Sequence, residues 1–390
     1  MRTLEILFWI MLFTAFYAYL GYGIVIFILD KLKKALFPAK KYTFDPAYTP
    51  HVTLFIAAYN EADFIEQKLK NCFELIYPKD KLEIIFVTDG SDDGTPEIIS
   101  KYPNVQLYHE PGRAGKISAV NRTMQYVKTP VVIFCDANTL LNPEALLKMA
   151  RHFSNPKVGC VAGEKKVLTK EKDSAAAGEG IYWKYESFLK KLDSSFNTVV
   201  GAAGELFGMR TELFHSTEKN AIIEDFVISL RIAGKGFKVV YEPEAYAMET
   251  SSANVTEELK RKIRICAGGI QSIVWLAYLL NPFKYGWLTF QYVSHRVLRW
   301  SLVPLFMLFL IPVNIILAKC VGGVYAWILA GQLLFYTAAL LGWFLENRSI
   351  KVKALFVPYY FFIMNYAVFL GFKRYIKGQQ SVIWEKAKRA

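Results

Sequence analysis

The chain has 390 residues, of which 53% are hydrophobic, 15% aromatic and 21% charged, and its formal net charge is +13. A positive mean hydropathy excludes an ordinary soluble enzyme, and the charged fraction excludes a protein built of membrane helices alone. Much of the positive charge lies beside apolar segments, which points to a membrane surface and not to nucleic acid.

From Ile6 to Leu29 there are 24 residues without a charge, enough at about 1.5 Å per residue to cross roughly 30 Å of hydrocarbon. The run is too long for a signal-peptide core and has no small-residue cleavage site, so it reads as a retained anchor spanning residues 1–30. Lys31, Lys33, Lys34, Lys40 and Lys41 follow it, against Arg2 alone before it. The positive-inside rule then places the N-terminus outside and the next domain, residues 31–250, in the cytoplasm of an integral membrane protein.

Residues 51 to about 250 have soluble composition and alternate strands with helices. Strands are predicted at 51–57, 82–88, 105–108, 131–135, 158–162 and 237–241. Helices are predicted at 61–75, 95–101, 116–127, 143–153, 174–194 and 222–234. This is an α/β pattern with a mainly parallel central sheet. The run Val131-Val132-Ile133-Phe134-Cys135 reads as a buried parallel strand that stops at Asp136. Polar residues gather at three strand ends: Tyr59-Asn60-Glu61, Asp89-Gly90-Ser91 and Asp136-Ala137-Asn138. Ligands of open α/β sheets bind beyond the carboxyl ends of the strands, so that edge is the expected site. Asp136 and Asn138 suit a hard cation such as Mg²⁺ or Mn²⁺; they equally suit an Asx turn capping the next helix.

Residues 251–300 hold a basic helix near 257–267 and then an aromatic-rich, amphipathic stretch suited to the headgroup level. Apolar spans follow at 302–317, 324–345 and 354–372, a membrane region of about three segments within 301–372. Four crossings would leave the 373–390 tail outside, although its Lys373, Arg374, Lys377, Lys386, Lys388 and Arg389 favour the inside. The five cysteines are scattered, with no Cys-x-x-Cys, and read as reduced core thiols.

Ala57-Ala58-Tyr59-Asn60-Glu61, Thr88-Asp89-Gly90-Ser91, Gly115-Lys116, Asp136-Ala137-Asn138 and Ile223-Glu224-Asp225 occur in one order. That order resembles the membrane-bound family 2 glycosyltransferases, inverting enzymes of GT-A fold that include cellulose, chitin and hyaluronan synthases. The resemblance covers residues 50 to about 270. It implies a nucleotide-sugar donor, UDP-linked, and a saccharide or lipid-linked acceptor at the membrane. It also implies that Asp89 accepts from the uracil or ribose, with Ala57, Tyr59 and Glu61 closing the base pocket. By the same resemblance Asp136, with Asn138, is the metal site, where the neutral amide is a weaker ligand than the family's second Asp. Asp225 is the general base, and Glu224 orients the acceptor or the base. Arg264 grips the diphosphate; Arg261 and Ile265 stand where the synthases carry glutamine and tryptophan, which weakens the case for a long-chain polymerase.

The residues themselves support several of these roles and leave blander ones open. Asp89 lies in a stretch saturated with turn formers, and Glu224 and Asp225 suit a helix N-terminus in any case. Lys116, at a helix start after Gly112 and Gly115, offers a phosphate both charge and N–H groups. Gly201 to Gly204 offer an acceptor a floor free of large side chains, or simply a turn. Trp183 and Tyr185 stack on acceptor rings or fill a core. Transfer to a polyprenyl phosphate is the alternative within the class. A membrane-tethered dinucleotide oxidoreductase is disfavoured because residues 57–64 contain no glycine. Oligomeric state, sugar and linkage leave no mark in the sequence.

Overall fold

The computed structural model describes residues 1–37, 44–168, 174–250, 255–348, 350 and 352–378. The chain begins with helices α1 (Arg2–Phe16) and α2 (Tyr22–Leu36), joined by a π-helical turn at Tyr17–Gly21 into one continuous rod. It then enters an α/β domain with strands β1 (Val52–Ala58), β2 (Leu82–Asp89), β3 (Gln106–Glu110), β4 (Val131–Asp136), β5 (Leu140–Leu141), β6 (Val158–Leu168), β7 (Leu206–Arg210) and β8 (Lys238–Thr250). The intervening helices are α3 (Ala62–Phe73), α4 (Thr95–Ser100), α5 (Lys116–Thr123), α6 (Ala145–Ala150), α7 (Ser174–Phe196) and α8 (Glu224–Gly234). After β8 come α9 (Val255–Trp275), the short α10 (Pro282–Tyr285), α11 (Trp287–Tyr292) and α12 (Leu298–Trp300), and the long α13 (Leu302–Cys320), α14 (Val324–Glu346) and α15 (Lys353–Ile376).

Among the described residues the strands form one sheet in the order β3-β2-β1-β4-β7-β6-β8-β5. The β1–β2, β1–β4, β2–β3 and β6–β8 pairings are parallel, while β7 runs against β4 and β6 and β5 runs against β8. The expected parallel half is therefore present, and the sheet as a whole is mixed. The cause is β7, a five-residue strand inside the Gly-rich stretch that reads as a turn. β8 also runs to Thr250, well past the expected end at Tyr241. Its extra length follows β6 across a register shift between Gly163 and Glu164, and this irregularity bends both strands around the sheet edge.

Period-2 alternation sorts the strand side chains into two layers. On one face Phe55, Ile85, Val87, Val132 and Phe134 pack with α5, α8 and residues from α11. On the other, Leu54, Ile56, Ile84, Phe86 and Ile133 pack with α3, α4 and α6. The stretch 268–295, expected at the headgroup level, is partly internal: Leu276, Leu279, Leu288 and Tyr292 are buried in the first of these layers. Val274, Tyr278, Phe283 and Trp287 of the same stretch are exposed, Phe283 almost fully at 99%. The basic helix does not lie open either, since Lys262 is buried and Arg261 is paired with Glu205 and Glu258.

Four helical stretches, Arg2–Leu36, Leu302–Cys320, Val324–Glu346 and Ala354–Ile376, are long and apolar enough to cross a membrane. The α/β domain grips them at two places. α7 packs Leu189, Leu192 and Phe196 on Tyr22 and Ile26 of α2, and α9 packs Cys266 and Ile263 on Ala367 and Val368 of α15. Of the tail's basic positions named from the sequence, Lys386, Lys388 and Arg389 lie outside the described residues, as do Lys40 and Lys41. Cys72, Cys135, Cys160 and Cys266 are buried free thiols, and Cys320 is free and exposed.

Candidate active site

Register alone brings the expected site together. Ala57 pairs with Val87 on one side and Asp136 on the other, so β1, β2 and β4 end side by side. β7 arrives antiparallel, with Leu206 opposite Cys135, and so delivers residues 201–205 to the same edge. The loops after β1 and β2 are stitched to each other. Asn60, whose φ is +51°, exchanges hydrogen bonds with Asp92, and the backbone N–H groups of Glu61 and Ala62 donate to Thr95 Oγ1 and Asp93 Oδ2. The open N-terminus of α3 is thereby satisfied by the neighbouring loop.

Asp89 is buried at the end of β2. Its Oδ2 accepts from the N–H groups of Ala114 at 2.8 Å and Gly115 at 2.6 Å, and its Oδ1 accepts from Arg122 at 2.7 Å. It thus organises the loop that leads into α5. Arg113, in that loop, stacks on Tyr59 with its guanidinium 3.7 Å from the ring centre. Arg113 and Arg122 carry no expectation from the sequence. The available signal is the dense Arg113–Arg122 stretch at the start of a helix, too common a pattern to single out either residue.

Lys116 opens α5 and forms the centre of the site. Its ammonium lies 2.8 Å from Asp136 Oδ1 and 3.0 Å from Glu224 Oε1. Burial works against its charge, but Asp136, Glu224 and Asp225 outweigh that and raise its pKa. Glu224 and Asp225 begin α8. Burial first, and then the neighbouring Glu224, push the Asp225 carboxyl up to about 7, against the pull of Lys116. Burial also raises Asp136 in spite of Lys116. Gly204 borders these groups: a Cβ there would sit 3.4 Å from Asp225 Oδ2 and 3.6 Å from Lys116 Nζ. Asn138 is half-buried in the turn after β4.

The far wall comes from residues with no local signature. Glu205 pairs with Lys165 at 2.8 Å and with Arg261 at 3.1 Å, and Lys165 also pairs with Glu249. Burial opposes the Glu205 charge, yet Lys165 and Arg261 hold its carboxyl well below the ordinary range. Arg264 lies within electrostatic reach of Glu224 and Asp136; burial, then Arg261, lower it to about 10. Trp183 is ringed by the ammonium groups of Lys165, Lys190 and Lys262 at 5.2, 5.7 and 5.7 Å. Tyr185 turns away from the site altogether, its hydroxyl donating to Tyr19 O at 2.6 Å. For Tyr185 the packing role holds, because the residue lies on the face of α7 that meets the long apolar helices.

The donor set at the end of β4 can be tested for a metal. Among the described residues no group of three His, Cys, Asp or Glu side chains is arranged to hold an ion by itself. A carboxylate and an amide two positions apart offer hard oxygens of the kind Mg²⁺ and Mn²⁺ use when phosphates and water supply the other ligands. Asp136 and Asn138 fit an ion of that sort, and Lys116 already holds Asp136 Oδ1.

The mixed sheet, with acidic groups gathered at one edge, is that of the GT-A fold. Residues 53–217 match the model for glycosyl transferase family 2. The poly-beta-1,6-N-acetyl-D-glucosamine synthase of Staphylococcus aureus (strain MSSA476) is 29% identical over 232 residues, 56% of this chain and 54% of that protein. The Staphylococcus epidermidis synthase is 27% identical over 229 residues. The chain spans about half the length of these curated relatives. The mannosyltransferase PcManGT from Pyrobaculum calidifontis, solved in complex with GDP-Man and Mn2+, superposes with a TM-score of 0.72 at 22% identity. That match covers 96% of this chain and 99% of the other, and it establishes the shared fold.

Proposed function

We propose that this protein is an integral membrane enzyme that transfers a sugar, with inversion, from a nucleoside-diphosphate donor to a saccharide or glycolipid acceptor. The donor is UDP-linked, the catalytic domain faces the cytoplasm, and the product belongs to polysaccharide or glycoconjugate synthesis. One observation carries the reading: Lys116 joins Asp136 to Glu224, so a donor-side carboxylate and the carboxyl raised to about 7 at Asp225 share one small cleft. The name of the staphylococcal relatives supports the polysaccharide branch.

In this reading Asp225 takes the proton of the acceptor hydroxyl, and a base that ionises near neutrality is matched to that task. Glu224 and Lys116 hold the carboxyl's surroundings fixed, and Gly204 lets the acceptor approach the backbone. The Lys116 ammonium and Arg264 flank the diphosphate with positive charge. Asp89 shapes the loop of residues 112–115 that closes on the nucleotide, and Arg113 on Tyr59, beside Ala57 and Glu61, forms the wall for the base. Asp136 and Asn138 would hold Mg²⁺ or Mn²⁺, which neutralises charge on the departing diphosphate when bound; the cation accompanying GDP-Man in PcManGT supports this.

The test is nucleoside diphosphate release from a panel of nucleotide sugars by the purified protein. Release is expected with a UDP sugar, to stop in EDTA and to be lost in Asp136→Ala. Release that survives both treatments sinks the metal assignment, and no release from any donor sinks the function.

A further inference from the structure

Lys190 is a buried cation without an ion pair among the described residues. It lies on α7 at 3% exposure. Among the described residues its ammonium has no hydrogen-bonded or ion-paired acceptor; its close neighbours are the faces of Trp183 at 5.7 Å and Tyr241 at 5.8 Å. The surrounding carboxylates are committed elsewhere. Glu164 accepts from Ser187 and Tyr241, Glu186 is held by His295, Arg296 and Arg299, and Glu205 is held by Lys165 and Arg261. Burial lowers the pKa of Lys190 in spite of Glu164.

Aromatic faces return only part of what an ammonium loses on leaving water. Among the described residues Glu164, Glu186 and Glu205 add attraction without an ion pair, and a buried polar group left without a direct partner calls for an explanation such as a ligand. The surroundings are those of a recess. Lys190 and Tyr241 are buried at its base, while Trp183, Glu164 and Ser187 are half-exposed around it. Glu205 interacts electrostatically with both Lys190 and Asp225, so the recess adjoins the candidate base.

We propose that this recess is an acceptor subsite that seats an anionic substituent against Lys190, either the carboxylate of an acidic sugar or the phosphate of a lipid carrier, with Trp183 beside it. The inference rests on the glycosyl transfer proposed above and names the chemistry of the acceptor. A full countercharge, unlike a neutral hydroxyl, restores the interaction energy that burial removes from the ammonium.

The test titrates the full-length protein in detergent, without donor, with three probes: a glucuronate-containing oligosaccharide, a polyprenyl phosphate and a neutral N-acetylglucosamine oligosaccharide. At least one anionic probe is expected to bind more tightly than the neutral one. Lys190→Met is expected to weaken that probe by about tenfold or more and to leave the neutral probe and nucleotide affinity unchanged. The responding anionic probe identifies the source of the charge. The variant is also expected to melt at the same temperature as the parent or higher, because an apolar chain of similar length replaces an unpaired charge. The proposal is overturned if neither anionic probe outbinds the neutral one, if Lys190→Met changes neither, or if the variant melts well below the parent. Nucleotide release is scored separately: binding of an anionic probe without any donor turnover would remove the transferase reading and leave the anion site standing.

Discussion

Burial and Glu224 together make Asp225 bind its proton up to about pH 7, and that has two measurable consequences of opposite sign. Deprotonation is needed for a base, so the transfer rate is expected to fall about tenfold per pH unit below that value and to level off above it. Asp225→Asn is expected to lower the rate at least about a hundredfold while nucleotide affinity stays as it was; a rate that survives the change removes the base assignment. For stability, the folded pKa lies above the unfolded one, so between about pH 4 and 7 the native state holds the extra proton and stability declines as pH rises. The same variant is therefore expected to be more stable than the parent at pH 8, by about 1–3 kcal/mol, and no more stable near pH 4. Thermal unfolding at the two pH values measures this. Lys116 acts the other way, as a cation that three acids keep charged.

At the level of elements, the decisive piece is the stretch from Gly201 to Glu205 that enters β7. Gly201 has φ +88°, and a Cβ there would lie 2.1 Å from Phe226 Cδ2, on the residue that follows Asp225. Gly201→Ala is thus expected to strain the backbone, push on the first turn of α8 and cost about 1–3 kcal/mol. Because Phe226 carries Asp225 with it, turnover should fall while nucleotide affinity is unchanged. Unfolding midpoints and nucleotide titrations separate the two effects, and an unaltered midpoint would show that the loop yields. The elongated β6 and β8 act at the same scale: their curved ends bring Lys165, paired with Glu249, over the edge to meet Glu205.

At the scale of the molecule, the transferase domain is fastened to apolar helices through a buried polar junction. The two ring nitrogens of His295 face Asp193 Oδ2 at 2.7 Å and Glu186 Oε2 at 3.3 Å. Tyr22 of the first apolar rod donates to Asp193, and Arg299 reaches both Glu186 and Ala18 O. Truncating one member of such a buried cluster leaves charge without a partner. His295→Leu is expected to cost about 3–5 kcal/mol and to lower the melting temperature in detergent; a melt unchanged from the parent would mean that the junction contributes no net stability. Catalytic parameters measured well below the melting temperature should change less than stability does, since the junction lies on the face of α7 that carries Tyr185.

Parts of this organisation were legible in the amino-acid order because they are local. Unbroken apolar runs mark the spans, since crossing hydrocarbon demands length and continuity in one segment. Buried parallel strands read as short apolar runs that stop at Asp89 or Asp136, and in a parallel sheet such stops necessarily share an edge. Other parts needed the tertiary structure. β7 is short and Gly-rich, so its pairing with β4 and β6 comes from neighbours and not from its own pattern. β8 passes through Glu242-Pro243-Glu244, which reads as a strand end, although Ala245, Ala247 and Glu249 alternate inward beyond it. The wall of Lys165, Glu205, Glu249 and Arg261, the stacking of Arg113 on Tyr59 and the isolation of Lys190 are all contacts between distant segments. Charge type and position along the chain are properties of sequence; whether a lysine meets a carboxylate or only aromatic faces depends on which strands and helices the fold sets side by side.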